Sequence, residues 1–360
     1  MASLSSSSFF SSLIEKIGLL GGICLCLACF FLPLSTSLLG GFTTLAALCW
    51  LLSGQFFKLR AILLRYPAAI ASLMLFLFMV IAISYSPSDI DEAVYALKKY
   101  RELLLFPIVI TLFSLSRKIR EQAENCFLIG CIVLMAISYL MAFEILPEDH
   151  YGHSIVFHIT HNFFMAVLSF WALHRAVKSR IYRYMWILIF FLSTLNLFYI
   201  APGRTGMFIY VWLILLFLFQ KLSYLKILIG TTIFAIALTT FYHTSENLQN
   251  RVQQVLTEVE HYDHGESRTS IGQRFDWWCN SITLIKQKPI LGHGTGSFAV
   301  AQESLPNNSE VKETNNPHNE YLFIAVQFGV LGLLLFLSIF VLLFIHGRQI
   351  DRYQRALLQG

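Results

Sequence analysis

The sequence predicts an all-α integral membrane protein, on three observations. Hydrophobic residues make up 56% of the 360 residues, mean hydropathy is +0.63, and apolar runs of bilayer-crossing length recur along the chain. Only 13% of residues are charged, where a soluble domain carries about 25%. Backbone exposed to lipid must satisfy its hydrogen bonds internally, so the runs are expected to be helices. They fall near 17–34, 36–54, 67–85, 102–116, 125–143, 155–174, 184–201, 205–220, 223–242 and 319–345, which predicts about ten transmembrane helices at roughly 20 residues each. The first run is long, lacks a small-residue cleavage site and is followed at once by another, so it reads as a retained helix rather than a signal peptide.

Basic residues set the expected orientation. With the N-terminus inside, most of the 26 Lys and Arg fall on the cytoplasmic side, as in Lys58, Arg60 and Arg65 or in Arg175, Lys178, Arg180 and Arg183. Two short outer connections break this bias: 86–101, which carries Lys98, Lys99 and Arg101, and the turn at Arg204. Arginine placed against the insertion bias suggests a functional reason. The net charge of +5 is largely this topology signal. The basic residues form no aromatic-interleaved stripe, so no nucleic-acid partner is expected. Six of the seven cysteines lie in apolar runs and Cys279 stands alone in the outer loop, which argues against a disulfide or a zinc motif.

Three parts follow: helices over 1–242, a polar insertion over 243–317, and the last helix with a short cytoplasmic tail over 318–360. The insertion is too long for an idle connection. Leu248, Val252, Val255, Leu256 and Val259 form an apolar stripe, predicting a helix over 246–260. A second amphipathic helix is predicted over 273–287, with Trp277 and Trp278 suited to the bilayer interface. The segment Gly292-His293-Gly294-Thr295-Gly296 is then a flexible turn, expected close to lipid or sugar, and Pro306 to Pro317 returns to the last helix. The whole insertion is expected to lie across the outer face as a lid.

Candidate site residues gather at membrane borders. Arg204 sits between Gly203 and Gly206, where small residues let a ligand approach the backbone. Its guanidinium can grip phosphate bidentately, or serve topology or a lipid headgroup. Arg274 lies one step into the second predicted loop helix, where free amides favour anions; an ion pair with Asp276 or Glu266 is the alternative. His318 follows Pro317 at the start of the last apolar run, with an ordinary pKa near 6.5 that suits base chemistry; capping the helix is the alternative. Asn319, Arg101 and His161 are the candidates to support these three. His261 and His264 lack a third ligand at convincing spacing, so no metal is expected. The glycine run is no dinucleotide fingerprint, since no strand–helix–strand unit surrounds it, and no pair of acids is spaced for glycoside hydrolysis.

Gly203-Arg204-Thr205-Gly206 between two helices, an arginine near an aromatic-rich loop helix, Gly-x-Gly-x-Gly-x-Phe at 292–298, and Pro317-His318-Asn319-Glu320-Tyr321-Leu322 followed by Gly329-x-x-Gly332 together resemble the O-antigen ligase and polymerase superfamily, the ligase branch best. The motifs cover about 150–345. The resemblance implies a glycosyltransferase of the bacterial inner membrane, multi-pass, with its site facing the periplasm. It would move O-polysaccharide from undecaprenyl diphosphate to a lipid A–core acceptor, with membrane lipids around it and with neither cofactor nor metal. By position, His318 then looks like the catalytic base and Arg204 and Arg274 like diphosphate ligands, with inversion at the anomeric carbon. Members usually continue with further spans after the histidine helix, whereas this chain stops at Gly360. The rival within the family is an O-antigen polymerase using the same donor. A membrane transporter is the rival of another class, but its ionisable or broken-helix features belong at mid-membrane, whereas the charges here gather at the outer face.

Overall fold

The computed structural model describes residues 2–201, 203–263, 269–305 and 314–359. Pro202 of the arginine turn, His264, Glu266 and the loop from Pro306 to Asn308 lie outside the described residues. The described residues form fifteen α-helices and no strand: α1 Ala2–Phe31, α2 Thr36–Leu52, α3 Leu59–Arg65, α4 Pro67–Ile81, α5 Ile90–Lys98, α6 Glu102–Ser114, α7 Arg117–Ala142, α8 His158–Lys178, α9 Arg183–Leu195, α10 Arg204–Lys221, α11 Tyr224–Thr244, α12 Glu246–Asp263, α13 Ser270–Gln287, α14 Phe298–Glu303 and α15 Glu320–Gln359. The two helices predicted inside the insertion are α12 and α13.

Seven of these helices are long and apolar enough to cross a membrane, or eight if the bent pair Thr36–Leu52 and Gln55–Arg65 counts as one span. The expectation of about ten is corrected for physical reasons. The 102–116 run is helical only over the 13 residues of α6, short of the ~20 a bilayer needs. The 155–174 run becomes α8, whose His158, His161, Asn162, His174 and Arg175 dilute its hydropathy. The 36–54 run ends after the 17 residues of α2, where Gly54 at φ 63° turns the chain into a bend of 82°.

The chain divides into two compact units. One comprises Met1–Gly18, Cys49–Ser114 and Thr257–Gly360; the other comprises Leu19–Leu48 and Leu115–Leu256. The second unit is built on α8, which packs against α9 and α10. Its core joins Leu128, Leu134 and Met135 of α7, Phe164, Met165 and Leu168 of α8, and Met207, Tyr210 and Ile214 of α10. Small and hydroxylated residues let these helices approach, as expected where lipid gives no hydrophobic drive for association. Ser169 and Ser193 share a hydrogen bond of 2.7 Å, and Thr194 meets the Tyr210 hydroxyl at 3.0 Å.

The first unit is organised by a broken helix. Pro67 opens α4 at a position where the missing N–H costs nothing. α4 then packs along α15 through Leu75, Met79, Ile324 and Phe328. Within α15, Gly329 adopts φ 62° and ψ −163°, a region open essentially to glycine alone. The break frees carbonyls and amides inside an apolar helix, which is tolerated at membrane depth only where protein covers them. The glycine turn supplies that cover. His293 N donates to Val326 O at 2.9 Å, Gly294 N to Gln327 O at 2.8 Å, and Val330 N returns the bond to Pro289 O at 2.8 Å. Gln327 Oε1 accepts from Gly296 N at 2.7 Å. Thr295 Oγ1 donates to Met79 O at 2.5 Å, and Ser86 Oγ to Thr295 O at 2.7 Å. The expectation that this turn lies near lipid or sugar is therefore corrected: its backbone is committed to α15 and to the residues just after α4, and the Thr295 hydroxyl to α4 itself. At Gly292 (φ 69°) even a Cβ would collide with the Gln327 carbonyl group.

Candidate functional site

In the first unit, α13 and the residues leading into α15 build a corner around His318. Thr269 caps α13, its side chain accepting from Gly272 N at 3.0 Å. Leu284 of α13 packs with Phe298, Phe323 and Val326, fixing α13 against the first segment of α15. Trp278 Nε1 donates to Pro317 O at 2.9 Å. Asn316 Oδ1 accepts from His318 N at 2.7 Å, in the Asx turn that an Asn-Pro step favours. Asn319 Oδ1 accepts from Tyr321 N at 3.1 Å and Leu322 N at 3.3 Å, so Asn319 caps α15. Between these ties, His318 is held at φ +54°, a left-handed backbone that few residues other than glycine adopt. Such strain persists only where the surroundings enforce it, and it clusters at working sites.

The imidazole is exposed and lies against Trp277, with ring centroids 5.4 Å apart and planes tilted by 33°. Among the described residues neither ring nitrogen is hydrogen-bonded. Partial burial, and then the positive charge of Arg274, push the His318 pKa below its ordinary value. The ring is therefore neutral at pH 7, with a lone pair available to accept a proton. Arg274 is exposed and sits one helical turn before Trp278. Because α13 begins at Ser270, Arg274 lies beyond the first turn, and the expected sharing of the free helix-end amides is corrected. Asp276 forms no ion pair with it; Glu266, the other expected partner, lies outside the described residues.

One further group meets this corner through Glu320. Tyr100 donates its hydroxyl to Glu320 Oε1 at 2.5 Å, and burial with the nearby carboxylate pushes the phenol pKa well up. Arg101 is exposed and pairs with Glu102 at 3.3 Å. The tryptophans are also reassigned: Trp277 is 6% exposed and Trp278 is pinned to Pro317, so protein rather than the lipid interface is their immediate setting. The sequence places Trp277 at the bilayer interface rather than against His318, and it assigns Asn316 and Tyr100 no role at the site. The Asn-Pro step was the one local signal, since the other contacts join distant segments.

In the second unit, Arg204 is the first residue of α10, and its Nη2 donates to Gln254 Oε1 at 3.2 Å. Gly203 and Gly206 do not open a path for a ligand there. Asn162 fills that space, so closely that a Cβ on Gly206 would collide with it. Asn162 Nδ2 donates to His158 O at 2.9 Å and to Ala201 O, tying the arginine turn to α8. His161, expected near the outer surface, is wholly buried. Its Nδ1 meets Ser154 Oγ at 2.9 Å and its Nε2 meets Asn196 Oδ1 at 2.7 Å, while Asn196 Nδ2 donates to Ser138 Oγ at 3.0 Å. Asn196 opens a π-helical turn, Asn196–Ile200, a local irregularity common near functional sites. Among the described residues no group of three or more His, Cys, Asp or Glu could hold a metal ion.

Comparison with known proteins gives two findings. The O-antigen ligase family matches residues 187–337, somewhat under half of the chain, and that stretch contains Arg204, Arg274 and His318. A curated relative, an uncharacterized protein of Haemophilus influenzae strain Rd, is 24% identical over 246 residues, covering 64% of this chain and 61% of the relative. The chain thus spans less than two thirds of that relative's length. The resemblance read from the motifs stands as an O-antigen ligase match, and the apolar helices make this a multi-pass membrane protein.

Proposed function

We propose that this protein is a glycosyltransferase of the O-antigen ligase type. It transfers O-polysaccharide from undecaprenyl diphosphate to a lipid A–core acceptor at the periplasmic face of the inner membrane. The observation that carries this reading is the His318 corner within the matched stretch: a neutral, accessible imidazole on strained backbone, with a guanidinium close enough to shift its titration.

In the proposed step, His318 removes the proton from the acceptor hydroxyl as that oxygen attacks the anomeric carbon. The new glycosidic bond forms on the face opposite the diphosphate, and the bond to the diphosphate oxygen breaks. Undecaprenyl diphosphate departs with the electron pair, and the configuration inverts. Arg274 offsets the charge that develops on the leaving group, an effect that grows as water is excluded. Arg204 enters the proposal on its own setting, a guanidinium at the uncapped N-terminus of α10, where anions are favoured. Asn319 supports the base by capping α15 behind it. Arg101, paired with Glu102, remains a proposed support of the site, whereas His161, bonded to Ser154 and Asn196, supports it only through the fold of the second unit.

The test is transfer by the purified protein, given lipid-linked glycan and core lipid without ATP or divalent ions. Polymer should appear on the core lipid with the anomeric configuration inverted by NMR. Product of retained configuration would exclude the single displacement. If lipid-linked repeat units lengthen instead, with none reaching the core lipid, the polymerase reading replaces the ligase one.

A further inference from the structure

The second unit contains a cavity that the glycosyl-transfer reading leaves unused. It holds about 480 Å³ and is lined by Arg175, Lys178, Ser179, Tyr182, Met185 and Trp186, where α8 ends and α9 begins. Between Arg175 and Arg183 the sequence places four basic residues and no acid. Arg175 is committed to the fold. Its Nη2 donates to Glu124 Oε1 at 2.7 Å and to Asn125 Oδ1 at 2.9 Å, Trp171 Nε1 donates to the same Glu124 oxygen at 2.9 Å, and its guanidinium carbon lies 5.9 Å from the Trp186 ring centre. Glu124 and Arg175 thus cancel each other and form a fixed wall. Lys178, Arg180 and Arg183 form no ion pair with a described carboxylate. Arg183 folds back, donating from Nε to Ala176 O at 3.3 Å, which sets its charge over the last turn of α8.

The rest of the setting is apolar and interfacial. Met185 and Trp186 line the cavity, while Ile181 and Tyr184 beside it are 85% and 81% exposed. Exposed aromatic and aliphatic groups among unpaired cations are what a helix end presents at headgroup depth. A soluble anion would satisfy the cations and leave uncovered the apolar surface that Met185 and Trp186 turn to the cavity. A zwitterionic headgroup would bring its own cation towards Lys178. A phospholipid of net negative charge satisfies both walls, its phosphodiester at Lys178 and an acyl chain along Met185 and Trp186. We propose that this cavity is a binding site for the headgroup of an anionic membrane phospholipid.

The test uses the purified full chain and native mass spectrometry, with phosphatidylglycerol, phosphatidylcholine and soluble glycerol phosphate as separate probes. Wild-type protein should retain phosphatidylglycerol over phosphatidylcholine by at least about tenfold, given Lys178 in the lining and Arg180 and Arg183 on the same connection. The triple variant Lys178→Gln, Arg180→Gln, Arg183→Gln should lose that preference, and Lys178→Arg should keep it. The single variant Lys178→Gln should reduce it and serves if the triple variant does not fold. Equal retention of the two lipids, an unchanged preference in the glutamine variants, or equal binding of glycerol phosphate would overturn the proposal. His318→Ala should leave lipid retention unchanged, so failure here is separable from failure of the transfer reading.

Discussion

His161-Asn162 and His318-Asn319 are the same dipeptide in two environments, one in each compact unit. His161 lies inside a helix, is fully buried, and has both ring nitrogens engaged. Asn196 Oδ1 can only accept, so Nε2 of His161 carries the proton and Nδ1 accepts from the Ser154 hydroxyl. To act as a base, that ring would have to break the Ser154 bond while fully buried. His318 precedes its helix, keeps a left-handed backbone and leaves its ring nitrogens open among the described residues. Both asparagines serve the fold, Asn162 by tying a turn to α8 and Asn319 by capping α15. The difference teaches that residue type proposes chemistry, while backbone strain and unmet hydrogen bonds locate it.

The comparison breaks or holds first on the two histidines. His318→Ala should lower transfer by about 10² to 10⁴-fold, the usual contribution of a positioned acid–base group. His318→Asn should be as inactive, yet melt like wild type, because asparagine tolerates the left-handed backbone. His161→Ala should do the reverse. It strands Ser154 and Asn196 in the core, at about 1–3 kcal/mol for each unsatisfied group, and should lower the unfolding temperature while leaving turnover per folded molecule near wild type. Transfer retained in His318→Asn, or lost in well-folded His161→Ala, would invert the assignment of roles.

A second substitution separates strain that serves the fold from strain that serves the site. Gly329 and His318 both have positive φ on the same helix and its lead-in. Gly329→Ala should destabilise the protein by roughly 1–3 kcal/mol from backbone strain alone, with a further loss because a Cβ there meets the Ile290 carbonyl. Thermal unfolding in detergent measures it. His318→Gly relaxes the other strained position and should not lower the melting point. If Gly329→Ala melts like wild type, the break in α15 is not held by the glycine turn as described.

The helical membrane class was legible because hydropathy is a local property, and so were α12 and α13, whose apolar stripes repeat at helical spacing. The span count was not. A hydropathy window scores α6 and α8 by their apolar residues, but cannot see that α6 stops after 13 residues or that α8 spends polar groups on a buried network. The break at Gly329 was equally hidden, since it is stable only because the Pro289–Gly296 segment hydrogen-bonds to it across a long stretch of sequence. At the candidate site, residue type pointed to His318 and Arg274. Sequence gave no sign that Trp277 would cover the imidazole or that Asn316 would set its backbone, because tertiary contacts leave no periodic trace.

The smallest expected effect tests the electrostatics of the His318 corner. Two causes lower the imidazole pKa there, burial first and the Arg274 charge second. A base works in its unprotonated form, so transfer should fall as pH drops through the His318 pKa and be full above it. Removing the Arg274 charge removes a repulsion that disfavours the protonated ring, so the pKa rises towards its ordinary value. In Arg274→Gln the acid limb of the pH–rate profile should therefore move to higher pH, whereas Arg274→Lys, which keeps the charge, should leave it near the wild-type position. Loss of diphosphate binding alone would lower transfer in Arg274→Gln at every pH without moving that limb. A limb that moves restricts the explanation to a titrating group within reach of Arg274; His161 is held in the core of the other unit by Ser154 and Asn196, and burial and the Asn196 hydrogen bond govern its titration. A limb that stays fixed in Arg274→Gln would mean that the guanidinium does not act on the base, and that the two residues share a corner without sharing a step.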